Sequence, residues 1–379
     1  MSQDAFALLD ETARQRGAEA VFDFLIARFR DEKNYPSLFE ARLMKQRHAL
    51  GLPLIARDTD AWPAETRRLY EKTCVEAARE TGGLFLADGD IARAWPYFRA
   101  IGETAPVAAA IEKVEAGEGI EPVIEIAFQE GLNPKKGFEL ILAHHGICRA
   151  LTLFPQYPAR EGRQACLQLL VRSLHADLAA NLSRAIASGE GSAPETWHLP
   201  SLIGGRDWLF GEHAYYVDTS HVVSVLQISL DLTDREHLDL ALQIAEYGRR
   251  LAPMFHFRGE PPFENIYEDH AVYLGALLGV EVEAAIAHFR RKVAAGDPAE
   301  MGTAPAQALV GLLLRLERYA DAAAVSIECL RDADPRYLTC PTPAQLCVMA
   351  GDFDRLRALA LERGDLIEYA AAALGASRP

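Results

Sequence analysis

The chain has 379 residues, half of them apolar and a quarter charged, with 39 Lys and Arg against 54 Asp and Glu for a net charge of −15. That supplies enough apolar material for a core without disulfide or metal staples. The acidic balance argues against a protein that wraps duplex nucleic acid, which needs a basic footprint, and against one that docks on an anionic membrane.

Helical periodicity appears almost everywhere, and strand alternation almost nowhere. Residues 3–16 place Phe6, Leu8, Leu9 and Ala13 near one face and stop at Gly17. Residues 18–31 carry Val21, Phe22, Leu25, Ile26 and Phe29. A third helix follows Pro36, a good first-turn residue, and ends at Gly51; Pro63 opens another. The opening MSQDAFALLDETARQRG has neither the basic start nor the apolar core of a signal peptide. The longest apolar stretches, such as 271–280, fall short of the roughly 20 residues that a bilayer span needs. The expectation is a cytoplasmic chain. Its six cysteines (Cys74, Cys148, Cys166, Cys329, Cys340 and Cys347) form no C-x-x-C pair and read as reduced thiols in apolar helices.

Further along, residues 84–106 read LFLADGDIARAWPYFRAIGETAP. The turn Asp88-Gly89-Asp90 separates two helical patterns, Ala94 permits close helix approach, Phe98 fills the gap and Pro106 closes the unit. Residues 314–335 repeat that order, with a turn at Glu317-Arg318-Tyr319, then Ala323, Leu330 and Pro335. Weaker copies occupy 233–253 and 279–298. In their second helices these segments resemble the tetratricopeptide repeat, although the Trp and the Leu-Gly pair of its first helix are mostly missing. The resemblance implies an all-α fold of stacked antiparallel helix pairs in a right-handed α/α superhelix, with a concave surface for partners. A closed α/α toroid is the alternative. The chain divides on this reading into N-terminal repeats (1–132), central repeats with two long aromatic loops (133–300) and C-terminal repeats (301–379).

Several helices share a register. HHGICRAL (144–151), SHVVSVLQ (220–227) and DHAVYLGA (269–276) align His145, His221 and His270. AQALVGLL (306–313) and AQLCVMAG (344–351) continue it with Gln307 and Gln345 in the same column, at a period near 38 residues. If the positions two and five residues later pack against the next hairpin, the column residue points elsewhere on the wheel, toward the groove. A histidine in an apolar helix is most often a hydrogen-bonded core residue, and that reading stands beside the groove-lining one. Asp218 with His221 has the spacing of a carboxylate–His ligand pair, yet Asp218 also reads as an N-cap. The signature H-E-x-x-H is absent.

Two irregular segments interrupt the pattern. The loop 189–218 holds Trp197, His198, Trp208, Phe210, His213, Tyr215 and Tyr216, too aromatic to be disordered. The loop 252–268 holds His256, Arg258 and Glu264. Each feeds a helix that carries a column histidine, so the two should meet at one rim.

No phosphate-binding loop or nucleophile elbow is present. The first functional expectation is an interaction module whose groove binds a protein, peptide or small molecule through His145, His221, His270, Trp208, Tyr215, Tyr216, Arg258 and Gln307, with no cofactor. The second is a toroid-type enzyme. It would use His213, His221 and His270 as acid–base groups, oriented by Glu212, Asp218 or Asp269. A divalent metal on His145, His221 and His270 is a variant of that second reading.

Overall fold

A computed structural model of the chain describes residues 3–55, 62–295 and 302–375. Among the described residues every regular element is a helix or helical turn, and the one β-type pairing is an isolated bridge between Arg258 and Asn265. The chain divides into two compact units, 1–163 and 164–379.

The first unit contains α1 (Gln3–Asp31), α2 (Tyr35–Ala49), α3 (Ala64–Ala87), α4 (Ile91–Ala100), α5 (Ala105–Ile111), α6 (Glu121–Ile124) and α7 (Pro134–Leu153). The break expected at Gly17 is present: its φ of 80° and ψ of 178° interrupt α1 in a region essentially reserved for glycine. Helix starts follow capping chemistry. Asp90 accepts the Arg93 N–H and Asn133 accepts the Lys136 N–H, each satisfying an N–H that the first turn leaves open. The α3–α4 hairpin turns over Asp88–Asp90 and buries Ala94 and Phe98 beside Phe85, Trp95, Val107 and Ile111. Gly82 on α3 lets the hairpin close this tightly, because a Cβ there would lie 2.7 Å from the Phe98 ring.

The second unit runs through α8 (Arg163–Glu190), α9 (Leu199–Ile203), α10 (Thr219–Ser229), α11 (Arg235–Arg250), α12 (Ile266–Leu277) and α13 (Val282–Ala295). It continues with α14 (Ala304–Arg315), α15 (Tyr319–Leu330), α16 (Pro343–Met349), α17 (Phe353–Arg363) and α18 (Leu366–Gly375). From α10 onward each helix packs on the next, so α10–α11, α12–α13, α14–α15 and α16–α17 form successive hairpins, the packing of an α/α array. The end of the weak copy at 279–298 lies outside the described residues. The shared core includes Phe289, Leu309, Leu313, Ala323, Leu330 and Cys347. Each large apolar side chain buried there contributes about 1.5–3 kcal/mol relative to exposure. Across the hairpins, the Arg315 guanidinium donates to the carbonyls of Leu230 and Leu232, closing the open carbonyl end of α10. No described helix is long and apolar enough to cross a membrane.

Candidate functional site

The aromatic loop between α8 and α10 is folded and strapped down. Arg206 pairs with Glu190 at 2.8 Å, and Arg250 bonds Asp207 while lying over the Phe210 ring at 4.5 Å. Trp208 packs on Gly189, where a Cβ would come within 2.8 Å of the indole. Tyr216 is held three ways: its N–H donates to Tyr247 Oη (3.0 Å), its hydroxyl donates to Leu209 O (3.0 Å), and its carbonyl accepts from Asn181. The Tyr247 hydroxyl is buried, which pushes its pKa up strongly. Tyr215 meets Phe255 edge-on, with ring centroids 5.4 Å apart, so the two aromatic loops are in contact. His213 and Glu212 are exposed on the first loop.

The column residues lie in different environments. His145 is exposed on α7 of the first unit, where Gly146 (φ 77°, ψ 179°) breaks the helix immediately after it. His221 is half-buried in the first turn of α10. Asp218 caps that helix, accepting from the Ser220 N–H and hydroxyl, and these bonds lower its pKa. His270 is 1% exposed: its Nδ1–H donates to Ile266 O at 2.7 Å, its ring packs on Phe263, and its Nε2 has no hydrogen-bond partner among the described residues. Burial pulls its pKa down to about 4, against the pull of the Ile266 bond, so the ring is neutral near pH 7. Gln307 braces a neighbouring loop by accepting from the N–H and hydroxyl of Thr339, and Gln345 completes a capping box with Thr342. Among the described residues no group of three or more His, Cys, Asp or Glu could hold a metal ion.

Asp269 orients a histidine other than its neighbour His270. Its carboxylate is fully buried. Oδ1 accepts from His288 Nε2 at 2.8 Å, while Oδ2 accepts from Lys292 Nζ at 2.8 Å and from the Asn265 N–H at 2.9 Å. Lys292 also reaches Glu264 at 2.5 Å. Burial tends to raise the Glu264 pKa, but the bond and charge of Lys292, a backbone bond and the nearby charge of Arg258 together outweigh it and the net shift is downward. This network ties the second loop and the start of α12 to α13. His288 and Lys292 were absent from the sequence-level candidates. The available signal, their i,i+4 spacing on α13, names no partner nineteen or more residues upstream.

Above this network the second loop shapes two adjoining clefts. One, of about 630 Å³, is bounded by Arg249, His256, Phe257, Arg258, Glu264 and Tyr267. The other, of about 340 Å³, lies toward α10 between Ser220, Ser224, Gln227 and the Phe257–Glu260 stretch. Phe257 and Arg258 form the ridge between them. Both are exposed, and among the described residues the Arg258 guanidinium makes no ion pair or hydrogen bond. Tyr267 forms part of the floor, its hydroxyl donating to Phe255 O at 3.0 Å. Its pKa rises to about 12 through burial. His256 is fixed over the Tyr267 edge by a 2.9 Å bond to Leu251 O.

Comparison of the chain with protein-family models, with curated proteins and with solved structures finds no match.

Proposed function

We propose that the protein is a binding module built on a tetratricopeptide-like helical array, and that its ligand sits across the Phe257–Arg258 ridge. The observation that carries this reading is an exposed aromatic ring beside a guanidinium that makes no ion pair or hydrogen bond among the described residues, between two clefts on a braced frame. An Arg next to an aromatic is a common anchor pair in recognition surfaces. The ligand that fits is a short peptide or small molecule with an apolar group for the Phe257 ring and a carboxylate for Arg258, which can take it bidentately. The array's working place is the cytoplasm; six cysteines of which none forms a disulfide support a reducing compartment.

The test is a fluorescence-polarisation screen of the intact chain against a labelled peptide library with free C-terminal carboxylates. Hits should lose roughly ten- to hundredfold in affinity with Arg258→Ala, in line with the loss of a charge-assisted bond of about 1.5–3 kcal/mol. Phe257→Ala should weaken the same hits, and His145→Ala should leave them unchanged. Hits indifferent to both ridge substitutions would remove this site.

A further inference from the structure

A third cleft, of about 320 Å³, opens between α11, α12 and α13, and His288 lies in its wall with Glu268, Arg249 and Arg291. The chemistry of His288 differs from that of the other histidines. Its Nε2 is engaged by a fully buried carboxylate oxygen that bonds nothing else among the described residues, because Lys292 and the Asn265 N–H take the other oxygen of Asp269. A carboxylate accepts only, so the neutral imidazole carries its proton on Nε2 and presents the Nδ1 lone pair. Among the described residues Nδ1 has no hydrogen-bond partner, and the side chain is 24% exposed. A buried carboxylate that fixes the tautomer and orientation of a solvent-reaching imidazole is the arrangement of acid–base dyads. One helical turn further along α13, Arg291 is exposed in the same wall and forms no ion pair among the described residues. It supplies a positive charge at the distance of an i,i+3 neighbour.

We propose that His288, positioned by Asp269, is a proton-transfer and acyl-accepting site for small acyl esters, with Arg291 facing the carbonyl oxygen as negative charge develops on it. The proposal is independent of the ridge: it uses a different cleft, and failure of the peptide screen leaves it standing. In the reaction the Nδ1 lone pair attacks the acyl carbon. The bond to the leaving alkoxide or phenoxide breaks, and that group departs with the electron pair, leaving an acyl-imidazolium whose Nε2–H still bonds Asp269. Water then adds to the acyl carbon, the carboxylate leaves as two protons pass to solvent, and neutral His288 returns.

The probe is p-nitrophenyl acetate, with p-nitrophenolate release followed on the intact chain. The native protein should exceed an equal concentration of free imidazole. His288→Gln, which can keep the bond to Asp269, should lower the protein-dependent rate by about tenfold or more. His48→Gln, on the first unit, should leave the rate unchanged. Asp269 is a positioning residue, so its readout is the split between kcat and KM. Asp269→Asn should lower kcat by about tenfold at unchanged KM, because the orientation of the ring and not ester binding is lost. A native rate no faster than imidazole, a His288→Gln rate within about twofold of native, or an Asp269→Asn change confined to KM would overturn the dyad.

Discussion

The Tyr247 hydroxyl oxygen accepts the backbone N–H of Tyr216 at 3.0 Å. One phenol on α11 thereby fixes the exit of the aromatic loop between α8 and α10, just before Asp218 starts α10. Tyr247→Phe keeps the ring against Phe210 but leaves that N–H without an acceptor. The cost should be about 1–3 kcal/mol. The loss should be local, so hydrogen exchange at residues 214–218 should accelerate while the α14–α15 amides keep their protection. Equal acceleration in both places would show that the loop is not an independent opening unit.

His270 gives the protein a definite acid response. Its pKa falls from 6.5 to about 4 on folding because burial disfavours the imidazolium. The unfolded chain therefore binds more protons between those values. Stability from this residue is fully present above pH 6.5 and drains away as pH falls toward 4, by roughly 3 kcal/mol in total. Urea unfolding of His270→Met across that window should give a flatter curve than native. The two proteins should differ by about 1 kcal/mol or less at pH 7.5, since the substitution removes one hydrogen bond and one orphaned nitrogen together. Parallel curves would mean that the ring titrates in the folded state near its ordinary value.

Asp234 responds at lower pH. Burial alone would raise its carboxyl. The His237 N–H and ring and the Gln168 amide outweigh that and hold it at about 2. With the folded value depressed, its contribution is present above pH 3.8 and is lost as pH falls toward 2. The side chain is one-third exposed, so solvent screening keeps the size modest. Asp234→Asn should lower the melting temperature at pH 6 and converge with native near pH 2, as followed by circular dichroism.

The hairpins were legible because local chemistry marks them. Asp88-Gly89-Asp90 can only turn, Asp90 caps α4, and the Ala94–Phe98 spacing declares a buried face. The column residues share a sequence pattern but not a place: His221 and His270 lie near the starts of α10 and α12, whereas His145 lies well inside α7. Nine of the twelve residues of α12 are buried, and its cleft-facing side carries Glu268, Val272 and Gly275 and not His270. The α7 break after His145 was hidden because a glycine inside an apolar helical pattern costs only about 1 kcal/mol and usually stays helical. Asp269 carried no mark separating a helix-start acid from the anchor of an ion network, because its partners come from α13.

Gly82 tests whether the packing of α3 on α4 is as tight as the geometry states. Its backbone sits inside a helix where any residue is allowed, so alanine gains about 1 kcal/mol of helix propensity. Against that, the new Cβ would stand 2.7 Å from the Phe98 ring, and Phe98 is 3% exposed in a filled core. Overpacking of this kind costs about 1–3 kcal/mol, since neither the ring nor the helix has space to retreat. The steric term should win, and Gly82→Ala should be destabilised. Phe98→Leu shortens the offending side chain, so it should recover part of the loss when combined with Gly82→Ala while being destabilising alone. That sign reversal in a double-mutant cycle is the signature of direct contact. Simple additivity of the two substitutions would place Gly82 and Phe98 out of each other's reach.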